Sequence, residues 1–159
     1  YTTFPNKGIR VEPLYVTRIE DANGNLLATF SPKTHEVIDE MTSYKMIYMM
    51  RSVIDRGTGV RVRYKYKVNA PMGGKTGTTN NNSDGWFMCY TPSLVSGCWV
   101  GGEDRAVHFD RMAEGQGASM ALPIAAKYLR KVFDDPSLGY SEQEQFDVPE
   151  EFDPNAGCR

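Results

Sequence analysis

The sequence of 159 residues predicts an α+β fold built around an antiparallel three-strand meander that is flanked by helices. Two runs, "SDGWFMCY" and "LVSGCWVGG", have strand character and are separated by turn residues at Pro92-Ser93. Two other segments repeat apolar residues at helical spacing, one before these runs and one after them. With 40% apolar residues, a chain of this length can bury a core of its own.

The N-terminal third predicts a hairpin followed by a helix. In "YVTRIEDANGNLLATF", Asn23-Gly24 separates two runs rich in β-forming residues, which is a strong short-range hairpin signal. We expect the helix to begin at Thr42 as its N-cap and to reach a C-terminal cap at Gly57. Its inner face is expected to consist of core-filling residues: Met46, Met49, Met50, Val53 and Ile54.

Residues 61–68, "RVRYKYKV", alternate basic and apolar side chains, which predicts a strand with one basic face. The basic face would contain Arg61, Arg63, Lys65 and Lys67. Interleaved cations and aromatic residues also fit a nucleic-acid surface, or a non-catalytic binding module that uses this face. A net charge of −2 and a pI near 5.7 argue against nucleic acid, so we expect no nucleic-acid partner and a solvated strand face.

The second half of the chain predicts a covered strand, a helix and an acidic tail. "LVSGCWVGG" is almost continuously apolar, as in a central strand covered on both faces, and Trp86 and Trp99 are expected to be core aromatics. Eight acidic residues and no basic residue lie between Asp134 and Asp153, which is typical of an irregular tail. The last helix would begin near Pro123, with this inner face: Ala125, Tyr128, Leu129, Val132 and Phe133.

The three cysteines, Cys89, Cys98 and Cys158, lack the paired spacing of zinc ligands, and both histidines are distant from them in sequence. We therefore expect neither a metal nor another cofactor. Cys89 and Cys98 flank the turn, so a bond between them stays open beside the plainer interpretation of two free thiols. No segment has the ~20 consecutive apolar residues that a membrane span needs.

A lysine between glycines and threonines, in "APMGGKTGTTNNNSDG", fits two kinds of site. A phosphate-binding loop would need a glycine at the position of Asn69 and a helix directly after Lys75. The residues that follow Lys75 are mostly poor helix formers, so the phosphate loop fails on both requirements. The other candidate is one wall of a serine acyl-transfer site.

That acyl-transfer wall requires Lys75, Thr76 and Gly77 to lie on a strand that continues into Thr78 and Thr79. The lysine would supply positive charge for a substrate carboxylate, and the threonine hydroxyls would hydrogen-bond the same group. Gly77 would leave room for the backbone of a substrate. The triplet alone is weak, but a strand before it, a polar turn after it and "DGWF" opening the next strand strengthen this interpretation.

Four blocks of the sequence carry a family resemblance: "YTTFPNKGIRVEPLYVTRIED", "DRGTG", "APMGGKTGTTNNNSDGWFMCYTPSLVSGCWVGGEDR" and "GQGASMALPI". In this order they resemble the C-terminal half of the transpeptidase domain of bifunctional class A penicillin-binding proteins, in the form seen in Bacteroidota. The resemblance implies a fragment of the penicillin-binding protein and serine β-lactamase-like fold. Residues 1–133 would be this part of the transpeptidase domain, and residues 134–159 an acidic tail.

The resemblance also implies a chemistry. A serine attacks the penultimate D-alanine of a peptidoglycan stem peptide, and the acyl-enzyme then passes the peptide to an amine of a neighbouring stem. Lys75 and Thr78 would be the catalytic residues of this chain, Thr78 through its backbone N–H in the oxyanion hole. Thr76, Gly77 and Thr79 would contact the substrate. β-Lactams would acylate the same serine, and no cofactor is implied.

The family's nucleophile motif S-x-x-K and its S-x-N motif are missing from this sequence. None of the nine serines is followed by lysine at the third position or by asparagine at the second. We therefore expect a piece of a longer protein that begins downstream of both motifs and is inactive alone. The parent protein would carry a glycosyltransferase domain and a membrane anchor and would act in the periplasm. A serine β-lactamase or carboxypeptidase relative remains the alternative.

Overall fold

The computed structural model describes residues 1–155, so Cys158 lies outside the described part of the chain. Four short strands form two ribbons near the N-terminus. Strand β1 (Ile9–Val11) pairs with β4 (Thr34–Glu36), and β2 (Arg18–Glu20) pairs with β3 (Leu26–Thr29), both antiparallel. The second pair confirms the predicted hairpin. Its turn has Gly24 at a φ of +85°, a left-handed conformation that favours glycine.

Helix α1 (Glu40–Asp55) begins three residues earlier than predicted. Asp39, not Thr42, is the N-cap, and its carboxylate accepts a hydrogen bond from the Thr42 N–H at 2.8 Å. The C-cap is Arg56, one residue before Gly57. Met49 on the predicted inner face is half exposed. The buried residues of α1 are Ser43, Tyr44, Ile47, Met50 and Ile54.

Residues 61–68 do not form a strand, so that prediction is wrong. Arg61–Tyr64 form a short helix, α2, and the rest of the segment is a loop. A strand would place Val62 and Tyr64 on one face, yet Val62 is fully buried and Tyr64 is 59% exposed. The glycine-rich turn before the segment sets a helical path, because the Gly59 N–H donates to the Val53 carbonyl and the Val62 N–H to the Gly59 carbonyl. The turn lies before the alternating residues, so their pattern could not predict it.

The central sheet is the predicted three-strand meander, with β5 (Gly73–Thr78), β6 (Asp84–Tyr90) and β7 (Val95–Gly101) in that order. Its first strand is β5 and not residues 61–68. Both pairings are antiparallel, with Gly77 opposite Trp86 and Trp86 opposite Trp99. A short 3₁₀ turn, Asn80–Asn82, joins β5 to β6.

Helices cover the face of the sheet that contains Phe87 and Cys89. They are α3 (Met112–Gly115), α4 (Gly117–Met120) and α5 (Leu122–Asp134), with α1 and α2 beside them. Pro123 lies in the first turn of α5, as predicted, but Tyr128 is 46% exposed rather than part of the inner face. The buried core consists of Ile54, Val62, Val68, Met72, Phe87, Cys89, Ala121, Leu122, Ala125, Ala126 and Leu129.

The opposite face of the sheet is open among residues 1–155. Trp86 and Trp99 lie there as a cross-strand pair and are 47% and 46% exposed, so their prediction as core aromatics is wrong. The residues of β7 alternate between half-buried and exposed, whereas the apolar run had predicted cover on both faces. No other strand of the described residues pairs with the outer edge of β7, which explains the difference.

The acidic segment after α5 is mostly irregular, as predicted, with one 3₁₀ turn at Pro136–Leu138. It nevertheless packs on the rest of the chain. Phe146 is 8% exposed and contacts the ring of Tyr90 edge-on at 6.0 Å between centroids. Phe152 meets the ring of Tyr44 at 4.7 Å. These aromatic contacts fix the segment along α1 and β6.

Candidate functional site

Lys75 lies in the middle of β5, opposite Met88 of β6, on the open face of the sheet. Its ammonium group donates to the carbonyl of Thr76 at 2.6 Å. Within residues 1–155, no carboxylate lies within ion-pair distance of the ammonium group. The charge of Lys75 is therefore exposed on the face of the sheet that also carries Trp86 and Trp99, where it can attract an anionic group.

Thr76 and Thr78 point to the other face of β5, because side chains alternate along a strand. The placement of Gly74 supports this, since a Cβ there would lie 2.8 Å from Cδ1 of the core residue Ile54. Lys75 and the two threonine hydroxyls thus lie on opposite sides of the strand. The expectation that Lys75 and the threonine hydroxyls contact the same substrate carboxylate therefore stays a prediction.

Thr58 contributes a contact that the sequence analysis missed. Its hydroxyl lies 3.0 Å from the hydroxyl of Thr76, and either group can donate. Thr58 lies in the loop between α1 and α2, which is the "DRGTG" block of the sequence. The resemblance of this block implies no role for its threonine. This hydroxyl pair connects the loop to the candidate site strand.

The backbone N–H of Thr78 is directed to the free side of β5. The neighbouring Thr79 N–H donates to the Asp84 carbonyl at 3.1 Å. Since hydrogen-bonded and non-bonded pairs alternate in an antiparallel ladder, the Thr78 N–H points away from β6. No strand of residues 1–155 pairs with that edge. A main-chain donor at this position is available to a ligand that lies along the edge.

Gly117, at the start of α4, is a second residue that the sequence analysis missed. Its N–H donates to Oγ1 of Thr78 at 3.1 Å. A Cβ at this position would clash with the carbonyl oxygens of Gly77 and Trp86, so only glycine fits against the sheet. The block "GQGASMALPI" contained the signal, since two glycines before an apolar helix are unusual without a close backbone approach.

Gly77 and Thr79 occupy the end of the strand. A Cβ on Gly77 would lie 3.3 Å from Cβ of Trp86, so a side chain there would crowd the tryptophan on the open face. Thr79 lies one residue beyond β5, and its hydroxyl accepts from the Asp84 N–H at 3.0 Å and contacts the Ser83 hydroxyl at 3.0 Å. The hydroxyl of Thr79 therefore closes the turn between β5 and β6.

The cysteines near the site do not offer a nucleophile. Cys89 and Cys98 are free thiols, which settles the question of a bond between them. Burial raises the pKa of Cys89 to about 12, so its thiol stays protonated at neutral pH and is a poor nucleophile. Among residues 1–155, no group of histidine, cysteine and acidic side chains has the arrangement of a metal site.

Comparison with known proteins gives one consistent family. A family model described as the penicillin binding protein transpeptidase domain matches residues 1–100. Penicillin-binding protein 1A of Aquifex aeolicus is 33% identical over 83% of this chain, and the chain covers 17% of that protein. The chain thus spans less than a fifth of the length of that relative.

Solved structures agree in fold. Penicillin-binding protein 1A from Haemophilus influenzae matches with a TM-score of 0.75 and 21% identity, over 92% of this chain and 26% of that one. The PonA1 protein from Mycobacterium tuberculosis, solved in complex with penicillin V, matches with a TM-score of 0.66 and 25% identity, over 95% of this chain and 39% of that one. By fold and by family match, this chain belongs to the penicillin-binding protein transpeptidase domain family.

Proposed function

We propose that this chain is the C-terminal half of the transpeptidase domain of a class A penicillin-binding protein of Bacteroidota type, which cross-links peptidoglycan stem peptides. The observation that carries the proposal is the placement of the triplet Lys75-Thr76-Gly77 on β5, with the Thr78 N–H directed to the free edge. A strand that offers a cation on its open face and a main-chain donor along its free edge suits an acyl substrate with a carboxylate.

In this reaction the serine of an S-x-x-K motif, located upstream of this chain in the parent protein, attacks the carbonyl carbon of the penultimate D-alanine. The bond to the terminal D-alanine breaks, and that amino acid leaves with the proton of the serine. The amine of a neighbouring stem peptide then attacks the acyl-enzyme and restores the serine. A β-lactam would acylate the same serine through its ring carbonyl.

This chain would contribute the positive charge and one oxyanion donor of the site. Lys75 would hold the groove positive and orient the stem-peptide carboxylate. Thr76 would contact the substrate from the other face of β5, and Gly77 would leave room for the substrate backbone. The Thr78 N–H would be one of two donors to the oxyanion, and losing one such donor typically costs ~3 kcal/mol of transition-state stabilisation. Thr79 would act at the end of the groove, where its hydroxyl shapes the turn.

The parent protein would be anchored in the cytoplasmic membrane, with this domain on the periplasmic side. Within residues 1–155, no helix combines the length and apolar character that a bilayer crossing requires. We place the anchor, a glycosyltransferase domain and the S-x-x-K and S-x-N motifs upstream in the parent gene. The open sheet face with Trp86 and Trp99, and the outer edge of β7, would be covered by that preceding half of the domain, or by a second copy through residues 94–100.

The experiment is acylation of the full-length protein by penicillin V, followed by intact mass. We expect a gain of one drug molecule on the full-length protein and none on this chain alone, which lacks the serine. A drug-sized adduct on the isolated chain would place the nucleophile here and overturn the proposal. A full-length gene without an upstream S-x-x-K motif would do the same.

A further inference from the structure

The loop of residues 65–72 leads directly into β5 and belongs to no sheet of the described residues. Three alternate side chains of the loop, Val68, Ala70 and Met72, are at most 1% exposed and insert into the protein. Lys67 has a φ of +57°, which is uncommon for a residue other than glycine. Such a loop needs side chains to satisfy its main-chain groups and to hold its path.

Arg63 supplies the first of these side chains. Its Nη1 donates to the carbonyl of Val68 at 3.0 Å and to the carbonyl of Ala70 at 2.6 Å. Its Nη2 pairs with the Asp55 carboxylate at 2.9 Å. One guanidinium group therefore connects the end of α1 to the two residues on either side of Asn69. The planar fork of donors in arginine suits such a bridge, which a single ammonium group cannot span in the same way.

Arg130 and Glu142 hold the same loop from the other side. Arg130 of α5 donates from Nη1 to the Lys67 carbonyl at 2.8 Å and to the Glu142 carboxylate at 2.8 Å, and it also pairs with Asp134 at 2.9 Å. The Glu142 carboxylate in turn accepts from the Asn69 N–H at 3.1 Å. The Glu142 side chain is 20% exposed, so its ion pair with Arg130 is shielded from water more than an ordinary surface ion pair.

Four consecutive residues, 67–70, thus have main-chain groups held by Arg63, Arg130 and Glu142, from α2, α5 and the acidic segment. The acidic segment is itself fixed, because Glu144 accepts from the Ser93 hydroxyl at 2.5 Å and Phe146 is buried against Tyr90. Strand β5 pairs with β6 on one side only. Because no strand holds the free edge of β5, the position of β5 depends on the residues that anchor its N-terminal end.

We propose that Arg63, Arg130 and Glu142 form a clamp of positioning residues that sets β5, and with it Lys75 and the Thr78 N–H, in the geometry for acyl transfer. The acidic segment then helps to position the site strand of the transpeptidase domain and is not an appended tail. The clamp acts only through β5 and touches no substrate. It rests on the proposed function, because its purpose is to hold the acyl-transfer strand.

The test uses the full-length protein with Glu142→Ala, its conservative partner Glu142→Gln and the control Glu151→Ala. Glu151 is an exposed acid of the same segment that forms no ion pair within residues 1–155. The rate constant and the stoichiometry of acylation by a fluorescent penicillin are measured separately, together with amide exchange at Asn69. A role confined to stability would lower the stoichiometry and leave the rate constant of the folded fraction unchanged.

We expect Glu142→Ala to lower the acylation rate constant about tenfold at full stoichiometry, since small displacements of reacting groups are costly, and to speed amide exchange at Asn69. Glu142→Gln should recover most of the rate because its amide oxygen can still accept from the Asn69 N–H, and Glu151→Ala should match the unmodified protein. An unchanged rate constant in Glu142→Ala, with the unmodified protein active, would overturn the clamp alone. No acylation of the unmodified protein would overturn the proposed function, and the clamp with it.

Discussion

The backbone N–H of Gly117 donates to Oγ1 of Thr78 at 3.1 Å, which joins the start of α4 to the last residue of β5. Gly117 is a buried residue, and a buried N–H needs a hydrogen-bond acceptor within the protein. The side chain of Thr78 therefore serves the fold, while its backbone N–H is directed to the opposite, free edge of the strand. A mutation of the Thr78 side chain can therefore remove the contact to Gly117 and leave the backbone N–H in place.

Thr78→Val should destabilise the full-length enzyme by about 1–3 kcal/mol, because valine has the same shape but leaves the buried Gly117 N–H without an acceptor. The folded fraction should keep most of its acylation rate, since the backbone donor of residue 78 remains. Thr78→Ser retains the hydroxyl and is the matched control. Thermal unfolding and the penicillin acylation rate check the two effects separately. A stability equal to that of the unmodified enzyme would contradict the role of the hydroxyl.

Gly117→Ala should be far more harmful to the fold than Gly77→Ala. The new Cβ at residue 117 would clash with two main-chain carbonyl oxygens of the central sheet, which cannot move without breaking strand pairing. The new Cβ at residue 77 would meet Cβ of Trp86 at 3.3 Å on the open face, and the nearest main-chain atom, the Trp86 nitrogen, lies at an ordinary 3.9 Å. We expect a loss of soluble, folded protein for Gly117→Ala alone. Equal midpoints of thermal unfolding for the two variants would refute this assignment.

Lys75→Ala should slow acylation of the full-length enzyme by orders of magnitude while the midpoint of unfolding changes little. The side chain is exposed and its one polar contact is to the neighbouring carbonyl, so it contributes little to packing. Its charge, in contrast, is the feature that would hold the substrate carboxylate. Lys127→Ala on the exposed side of α5 is the control. If both variants acylate at the normal rate, Lys75 is not part of the site.

The local patterns of the sequence predicted the meander, the hairpin and both long helices, because each of these depends on residues that are neighbours in the chain. The prediction of a strand at residues 61–68 was wrong because alternation over eight residues fits a short helix with a following loop as well as it fits a strand. The prediction that the two tryptophans are buried was wrong for another reason. Their burial depends on which surfaces meet, and the open face of the sheet has no cover among the described residues.

The candidate site divides in the same way. Lys75 through Thr78 could be placed on a strand from the motif alone, since the motif is continuous in sequence. The contacts of Thr58 and Gly117 could not be predicted, because these residues lie 18 and 39 residues from the threonines they contact. The clamp on residues 67–70 is also formed by side chains distant in sequence, so the basic run and the acidic segment seemed to be separate solvated features.

Cys89 should make the stability of the chain sensitive to alkaline pH. Burial raises its pKa from an ordinary 9.0 to about 12, so the folded state keeps the thiol protonated where the unfolded state has lost that proton. The stabilising contribution is complete below pH 9 and is lost as the pH rises toward 12. Burial also raises the pKa of Tyr90, so Tyr90 likewise lowers the free energy of unfolding as the pH rises. Cys89→Ala should therefore reduce the fall in unfolding free energy between pH 8 and pH 11, and an unchanged slope would contradict the assignment.

The outer edge of β7 should mediate association when the chain is isolated. The Thr91 N–H donates to the Leu94 carbonyl, so ladder alternation directs the N–H groups of Val95, Gly97 and Trp99 away from β6. No strand of residues 1–155 accepts from them, and an open strand edge of this length is a template for pairing with another chain. In the parent protein the preceding half of the domain would occupy this edge.

The isolated chain should therefore sediment as a concentration-dependent dimer, or bind the preceding half of the domain when that is supplied as a second chain. Amide exchange at Val95, Gly97 and Trp99 should be fast in the monomer and slow in either complex, because only pairing protects these three N–H groups. Trp99→Lys should weaken self-association, since an edge lysine opposes strand addition. Its effect on the fold should be small, because Trp99 is already 46% exposed. A monodisperse monomer with slow exchange at all three positions would mean that the chain covers this edge by itself, contrary to the proposal.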